Sequence, residues 1–299
     1  MKEEIFMKKV LFKGCGTAIA TPFDDKGVNV KEFEKLIEFQ IQNDVDSIIV
    51  CGTTGEATTM SQQEKDDAIK CAIRTSNGRV PIIVGTGSNS TSQAIQNSKH
   101  AKDLGADGIL VVTPYYNKCT QKGLIDHFTK IAESVYPLPV IMYSVPSRTG
   151  VNILPKTCYE LSKVENIVAI KEASGNLSQI AEIAQLCGDN LNIYSGNDDQ
   201  ILPILSVGGI GVVSVLSNIF PKETHNMVTE FLSGNIEEAK NLQLKYIPFI
   251  KALFSEVNPI PVKAALNLIG YNFGIPRLPL TPISEENLKI IENELKILQ

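Results

Sequence analysis

The chain has 299 residues, of which 43% are hydrophobic and 20% charged, and its formal net charge is −5 at pH 7. These fractions exclude a disordered or collagen-like chain, and the mild acidity argues against a general binder of nucleic acid or anionic membranes. No apolar run reaches the ~18 residues of a membrane span, and residues 1–9 lack the apolar core of a secretory signal, so we expect a cytoplasmic protein.

Eight segments rich in Val, Ile, Leu and Ala predict β-strands. Each is nearly continuous in apolar residues, which is typical of strands covered on both faces in a parallel sheet. The segments are 14–23, 47–53, 80–87, 108–115, 139–146, 167–174, 191–198 and 209–218.

Helical periodicity fills the segments between these strands, for example over 30–43, 61–75 and 91–104. Ser61 and Glu64 predict a capping box at the start of the second of these helices. Eight strand–helix units predict an α/β fold of the TIM (β/α)8 barrel type. An open doubly wound sheet is the alternative, which the missing G-x-G-x-x-G motif after the first strand disfavours.

The barrel is predicted to occupy residues 1–234 and a C-terminal helical appendage residues 235–299. The appendage contains helical patterns over 236–254, 259–270 and 284–298. Three prolines predict that 275–283 is an extended loop.

Cysteine and histidine usage argues against disulfides and metals. The 6 cysteines are scattered without a C-x-x-C pair, so we expect reduced thiols. The 3 histidines, His100, His127 and His225, are far apart and do not have the spacing of a His-ligated metal site. The sequence therefore disfavours a metal-dependent aldolase or hydrolase.

Lys171 and Tyr143 are the main candidates for covalent chemistry. Lys171 follows the apolar residues of the sixth predicted strand, where burial lowers the pKa of an amine and leaves some of it neutral. A neutral amine forms a Schiff base with a ketone or aldehyde, and a phenol at the end of the adjacent strand can transfer the protons. The alternatives are a lysine that reaches into solvent and a tyrosine that only fills the core.

Two further features indicate binding of carboxylates. Thr53 and Thr54 lie in the turn G-T-T-G-E, whose hydroxyls and N–H groups can bind a carboxylate, although a helix cap has the same composition. Arg148 follows the fifth predicted strand and suits bidentate binding of a carboxylate, although a solvated arginine is the competing interpretation.

Eight motifs occur in order along nearly the whole chain. Together they resemble the class I, Schiff-base-forming pyruvate lyase family that contains dihydrodipicolinate synthase and N-acetylneuraminate lyase. The motifs are T-A-x-x-T-P-F (17–23), G-T-T-G-E (52–56), G-T-G-S-N (85–89), V-T-P-Y-Y-N-K (112–118), Y-S-V-P-S-R-T-G (143–150), I-K-E-A-S-G (170–175), N-P-I-P-V-K (258–263) and R-L-P-L-T-P (277–282).

The resemblance implies a lyase that condenses pyruvate with L-aspartate 4-semialdehyde to give 4-hydroxy-tetrahydrodipicolinate, the first committed step toward diaminopimelate and lysine. Lys171 would form the imine, and Tyr143 would donate and accept protons. Thr53 would connect Tyr143 to Tyr116, which in this family reaches into a neighbouring subunit's site. The resemblance therefore implies at least a dimer and usually a homotetramer, and it implies no cofactor.

The same resemblance implies how the substrates bind. Thr54 and the backbone of the turn would hold the pyruvate carboxylate, Arg148 the semialdehyde carboxylate, and Gly196 and Val213 would line the pocket. The rival interpretations are an aldolase for a sugar acid, which as a rule lacks the arginine, and a non-catalytic barrel that binds keto acids.

The chain also departs from the family pattern. Ser144 and Cys119 stand where Asn and Pro are common. Ala57, Asn89 and Tyr115 match positions of the family's lysine effector site. However, Gln93 replaces a glutamate that pairs with the effector's ammonium, and Gln62 and Lys65 replace histidines. We therefore expect weak or absent inhibition by lysine.

Overall fold

A computed structural model describes residues 8–298, and eight parallel strands close into a barrel in chain order. The predicted TIM barrel is therefore confirmed, and the expectation for the first nine residues falls mostly outside the described part. The strands are Gly14–Ala18, Ser47–Val50, Ile82–Gly85, Gly108–Val112, Val140–Ser144, Ile167–Glu172, Asn192–Ser195 and Gly211–Ser214.

The strands are buried on both faces, which explains their continuous apolar sequences. All six residues of the sixth strand, Ile167–Glu172, are buried. One face of each strand fills the barrel interior, where Ile49, Ile83, Ile141 and Val213 belong to one cluster. The other face packs against the surrounding helices.

Each barrel strand is followed by a helix, as the periodicity predicts. The principal helices of the barrel are Val30–Gln42, Gln62–Ser76, Thr91–Asp103, Gln121–Val135, Pro155–Ser162, Leu177–Cys187, Ile201–Leu205 and Pro221–Leu232, with a short helix at Pro146–Thr149. The capping box is confirmed, because Ser61 N–H donates to Glu64 at 2.8 Å and Glu64 N–H donates to the Ser61 hydroxyl at 3.3 Å.

Element ends differ from the sequence prediction, since each of the eight predicted strands extends past the carboxyl end of the observed strand. The first predicted strand is too long at its carboxyl end, where a separate antiparallel hairpin pairs Phe23–Asp24 with Gly27–Val28. The third helix, predicted over 91–104, spans Thr91–Asp103, and Ser90 caps it with a side chain that accepts a hydrogen bond from the Gln93 N–H. Such terminal differences arise because apolar patterning does not reveal where the backbone leaves the sheet.

Three helices follow the barrel, at Ile236–Leu253, Ile260–Leu268 and Glu285–Leu298. The first packs against the end of the barrel through aromatic rings, with Phe220 at 5.0 Å from Tyr246 and 5.2 Å from Phe249 between centroids. A division of the chain at residue 234 stays a prediction.

The cysteines are all free thiols, and five of the six are buried. Within residues 8–298 no helix is both long and apolar enough to cross a bilayer.

Candidate active site

The ends of the fifth and sixth strands bring an amine and a phenol together. Tyr143 and Lys171 are direct partners in the parallel register. Their side chains are 8% and 6% exposed, and the Lys171 Nζ lies 4.3 Å from the centroid of the Tyr143 ring. Both lie at the carboxyl ends of the strands, where barrels of this type bind substrates.

The surroundings of Lys171 favour a neutral amine. Burial lowers the pKa of Lys171 to about 8; the Asp198 carboxylate opposes this shift and the Arg148 guanidinium adds to it. Neutral and protonated amine are thus present in similar amounts near pH 8, and the neutral form is a nucleophile.

Tyr143 carries the complementary property. Burial raises the pKa of the Tyr143 phenol to about 12, although the Arg148 charge lowers it. The phenol therefore keeps its proton at neutral pH and can donate it. An amine that is partly neutral and a phenol that is protonated form an acid–base pair.

Gly196 leaves the space that the Lys171 side chain occupies. A Cβ atom at position 196 would lie 3.1 Å from Lys171 Cε, 2.7 Å from Ala173 Cβ and 3.0 Å from the Glu172 carbonyl oxygen. Any larger residue at position 196 would clash with the Lys171 side chain and with the backbone of Glu172. Val213 is fully buried and belongs to the same interior cluster as Tyr143.

Asp198 is a member of the site that motif reasoning did not single out. It is 2% exposed, and its Oδ2 accepts the N–H groups of Val215 and Leu216 at 3.0 Å each. Burial raises the pKa of Asp198, opposed first by a hydrogen bond from Ser214. The signal available in the sequence was an acidic residue at the carboxyl end of the predicted strand 191–198.

Thr54 and Arg148 are connected through a residue from the C-terminal segment. Asn258 Nδ2 donates to the Thr54 hydroxyl at 3.0 Å, and the Asn258 carbonyl oxygen accepts from Arg148 Nη2 at 3.4 Å. Thr54 is 3% exposed, whereas Arg148 is exposed. Asn258 belongs to the motif N-P-I-P-V-K, but the sequence alone did not indicate a role for it.

Buried charged side chains anchor the turn that carries Thr53 and Thr54. Glu56 has a positive φ of 55° and accepts from Lys263 Nζ at 2.7 Å and from the Arg277 N–H at 2.8 Å. The side chains of Glu56 and Lys263 are each 1% exposed. Separation of Glu56 from Lys263 would leave unpaired buried charges, which is unfavourable. The pair therefore holds the turn in its position.

Arg277 provides a second anchor from the same C-terminal segment. Its guanidinium donates to Glu64 at 3.0 and 2.5 Å and lies 3.9 Å from the centroid of the Phe23 ring. Bidentate geometry and the aromatic contact both favour arginine over lysine at this position.

Thr53 and Tyr116 do not join the buried cluster within one chain. Thr53 is exposed, and the Tyr116 side chain is 92% exposed on a residue with a φ of 71°. A large, exposed aromatic ring at a strand end is a common feature of surfaces that contact another protein.

The predicted effector residues lie on loops near the same end of the barrel. Asn89 and Tyr115 are partly buried, and the Asn89 carbonyl oxygen accepts from Asn117 at 2.9 Å. Ala57 begins the short helix Ala57–Thr59. The amide groups of Gln93 and Gln62 donate to Asn97 and Asp66, each at 2.8 Å.

The three histidines lie in separate environments. His100 contacts Asp66 at 2.8 Å, His225 contacts Asp46 at 2.8 Å, and His127 contacts the Thr91 hydroxyl at 2.9 Å. In the part of the chain that the structure describes, no three His, Cys, Asp or Glu side chains cluster as metal ligands would.

Comparison with known proteins gives consistent matches over nearly the whole chain. The profile of the dihydrodipicolinate synthetase family matches residues 11–298. The chain is 58% identical over 286 residues to the 4-hydroxy-tetrahydrodipicolinate synthase of Caldicellulosiruptor saccharolyticus, covering 95% of this chain and 96% of that protein.

Solved structures agree. The dihydrodipicolinate synthase of Thermotoga maritima superposes with a TM-score of 0.94 at 43% identity, covering 96% of this chain and 99% of that one. The chloride-inhibited enzyme of Acinetobacter baumannii in complex with pyruvate gives a TM-score of 0.92 at 44% identity, with coverages of 95% and 98%. The resemblance predicted from the motifs is confirmed, and the chain belongs to the dihydrodipicolinate synthetase family.

Proposed function

We propose that the chain condenses pyruvate with L-aspartate 4-semialdehyde to 4-hydroxy-tetrahydrodipicolinate through a Schiff base on Lys171. The observation that most supports this proposal is the buried Lys171 amine. Its pKa is about 8, and its Nζ lies 4.3 Å from the ring centroid of Tyr143. The relatives carry the name of this synthase, which places the reaction at the entry to diaminopimelate and lysine synthesis.

The first stage forms the imine. The neutral Lys171 amine attacks the keto carbon of pyruvate, and the resulting alkoxide takes a proton to give a carbinolamine. Tyr143 donates the proton that lets the hydroxyl leave as water, and the product is a protonated imine. The positive nitrogen then withdraws electrons from the adjacent methyl group.

The second stage forms the carbon–carbon bond. Loss of a methyl proton gives an enamine, whose terminal carbon attacks the aldehyde of the second substrate. The semialdehyde ammonium loses a proton, and the resulting neutral amine adds to the imine carbon. A further proton moves from that nitrogen to the Lys171 nitrogen, which leaves as the amine while the new C–N bond closes the ring. One water is released overall, and no oxidant or reductant is consumed.

The substrate carboxylates require positive or N–H donor groups, and the site offers both. In this proposal the Thr54 hydroxyl and the backbone of the turn bind the pyruvate carboxylate, while Arg148 binds the semialdehyde carboxylate at the mouth. Gly196 and Val213 shape the pocket around the imine.

Tyr116 completes the proton path from a neighbouring subunit in this proposal. The Tyr116 ring is 92% exposed on its own chain. In this proposal it meets Thr53 of another copy, so the active assembly contains at least two subunits. We propose a cytoplasmic homotetramer. Sedimentation of the purified protein measures this state directly, and an active monomer at assay concentration would contradict it.

Steady-state kinetics test the proposed reaction. We expect turnover of pyruvate with L-aspartate 4-semialdehyde and little cleavage of N-acetylneuraminate or a ketodeoxy sugar acid, because Arg148 suits a short carboxylate substrate. Faster cleavage of a sugar acid would support the rival aldolase, and absence of both activities would support a binding protein.

The rate of imine formation is expected to rise with pH and to level off above about pH 8. Below that value the rate falls about tenfold per pH unit, because only the neutral amine reacts. Rapid-quench borohydride trapping of pyruvate measures this rate.

Two variants should shift the pH profile in opposite directions. Asp198→Asn removes the charge that raises the pKa of Lys171, so the inflection of the rate profile moves to lower pH. Arg148→Met moves the inflection higher. A flat profile through the neutral range would contradict the assignment.

Free lysine is expected to inhibit weakly or not at all, because Gln93 offers no charge to the effector's ammonium. Gln93→Glu should strengthen inhibition by at least about tenfold, since a close charge pair contributes ~1.5 kcal/mol or more. Gln42→Glu, on an exposed helical surface, is the control for net charge. Titration of activity with lysine tests this, and millimolar or tighter inhibition of the unmodified protein would contradict it.

A further inference from the structure

Asn258 has an unused acceptor beside the mouth of the site. Among residues 8–298, four buried side-chain polar atoms lack a hydrogen-bond partner, and Asn258 Oδ1 is one of them. The residue is 5% exposed, and its Nδ2 is held by the Thr54 hydroxyl at 3.0 Å. The amide is therefore fixed in place while its oxygen stays unsatisfied.

A buried amide oxygen without a hydrogen-bond partner is energetically unfavourable, and such groups are rare in native proteins. Beside a binding site, a bound ligand can supply the missing donor. The Asn258 main chain also accepts from Arg148 Nη2 at 3.4 Å. One residue thus contacts both groups that we assign to the substrate carboxylates.

The second substrate has the matching chemistry. L-aspartate 4-semialdehyde carries an ammonium and a carboxylate on the same carbon, so a carboxylate bound to Arg148 places the ammonium within a few bond lengths of that guanidinium. An ammonium only donates hydrogen bonds, and an amide oxygen only accepts them. Arg148 repels the ammonium, whereas Asn258 Oδ1 attracts it.

We propose that Asn258 Oδ1 accepts a hydrogen bond from the α-ammonium of the semialdehyde and so selects aldehydes that carry an amino group. This inference rests on the proposed function. Asp198 Oδ1 is another acceptor without a partner. It belongs to a carboxylate whose charge raises the pKa of Lys171, so we assign it to the surroundings of the imine rather than to the ammonium.

A comparison of two aldehydes tests the proposal. Succinate semialdehyde has the same carbon chain, aldehyde and carboxylate, but no amino group. We measure the KM of L-aspartate 4-semialdehyde and the constant for competitive inhibition by succinate semialdehyde, both on enzyme saturated with pyruvate. Asn258→Ala should raise the first by about 10- to 100-fold, the loss expected for a hydrogen bond to a charged group, and change the second by less than about threefold.

Asn258→Asp is the second variant, because it keeps the shape and places a charged oxygen near the ammonium. Its preference for the amino-bearing aldehyde should equal or exceed that of the unmodified protein. Borohydride trapping of pyruvate shows that either variant retains a folded site.

Two results would overturn the proposal. An equal loss for both aldehydes in Asn258→Ala would show that the residue acts only by positioning Thr54 and Arg148. A reduced preference for the amino-bearing aldehyde in Asn258→Asp would show the same, even if the alanine variant fails to fold. Failure of the unmodified protein to turn over the semialdehyde would instead count against the proposed function.

Discussion

Replacement of Lys171 by alanine is expected to remove nearly all turnover, by a factor on the order of 10³ or more, because Lys171 supplies the buried amine beside Tyr143 and loss of a covalent nucleophile commonly has effects at least this large. The protein should remain folded, since the variant loses a buried, partly desolvated amine rather than a packed apolar group. The product-formation rate and a thermal melt measure the two properties.

Lys130→Ala is the matched control for this variant. Lys130 is exposed on the helix Gln121–Val135, so its removal should leave turnover unchanged. Near-normal activity of Lys171→Ala would show that the chemistry lies elsewhere.

Replacement of Tyr143 by phenylalanine is expected to lower turnover by about 10²- to 10⁴-fold, the usual contribution of a positioned proton donor. The ring and its contact with Lys171 remain, so substrate binding and stability should change little. The loss should fall on imine formation and on later proton transfers. Single-turnover trapping separates it from weaker binding of pyruvate.

Tyr194→Phe is the control, because Tyr194 is a fully buried tyrosine in the same interior cluster. Its hydroxyl donates to the Phe12 carbonyl oxygen at 2.8 Å, and its ring stacks on Phe12 with 4.3 Å between centroids. Loss of this hydroxyl should lower the free energy of unfolding by ~1–3 kcal/mol while turnover stays near normal. The opposite pattern in the two variants would contradict the role given to Tyr143.

The sequence was most informative about local features. Continuous apolar runs predicted all eight strands, because strands covered on both faces leave a strong pattern. The positions of Lys171 and Tyr143 followed from the same pattern, since consecutive strands of a parallel barrel are neighbours. The predicted strand ends were too long where residues such as Asp198 already belong to the loops that build the site.

The sequence was least informative about contacts between distant segments. Asn258 reaches Thr54 across 204 positions, and Lys263 reaches Glu56 across 207. No periodicity reports such pairs, because they depend on how the C-terminal helices pack on the barrel. Tyr116 shows a further limit, since the role proposed for it needs a second copy of the chain.

The measurement that tests the central claim most directly is borohydride reduction in the presence of pyruvate, followed by peptide mass spectrometry. We expect a reduced pyruvyl group on Lys171, formed faster as the pH rises toward 8. An unmodified Lys171, or a pyruvyl group on a different lysine, would contradict it.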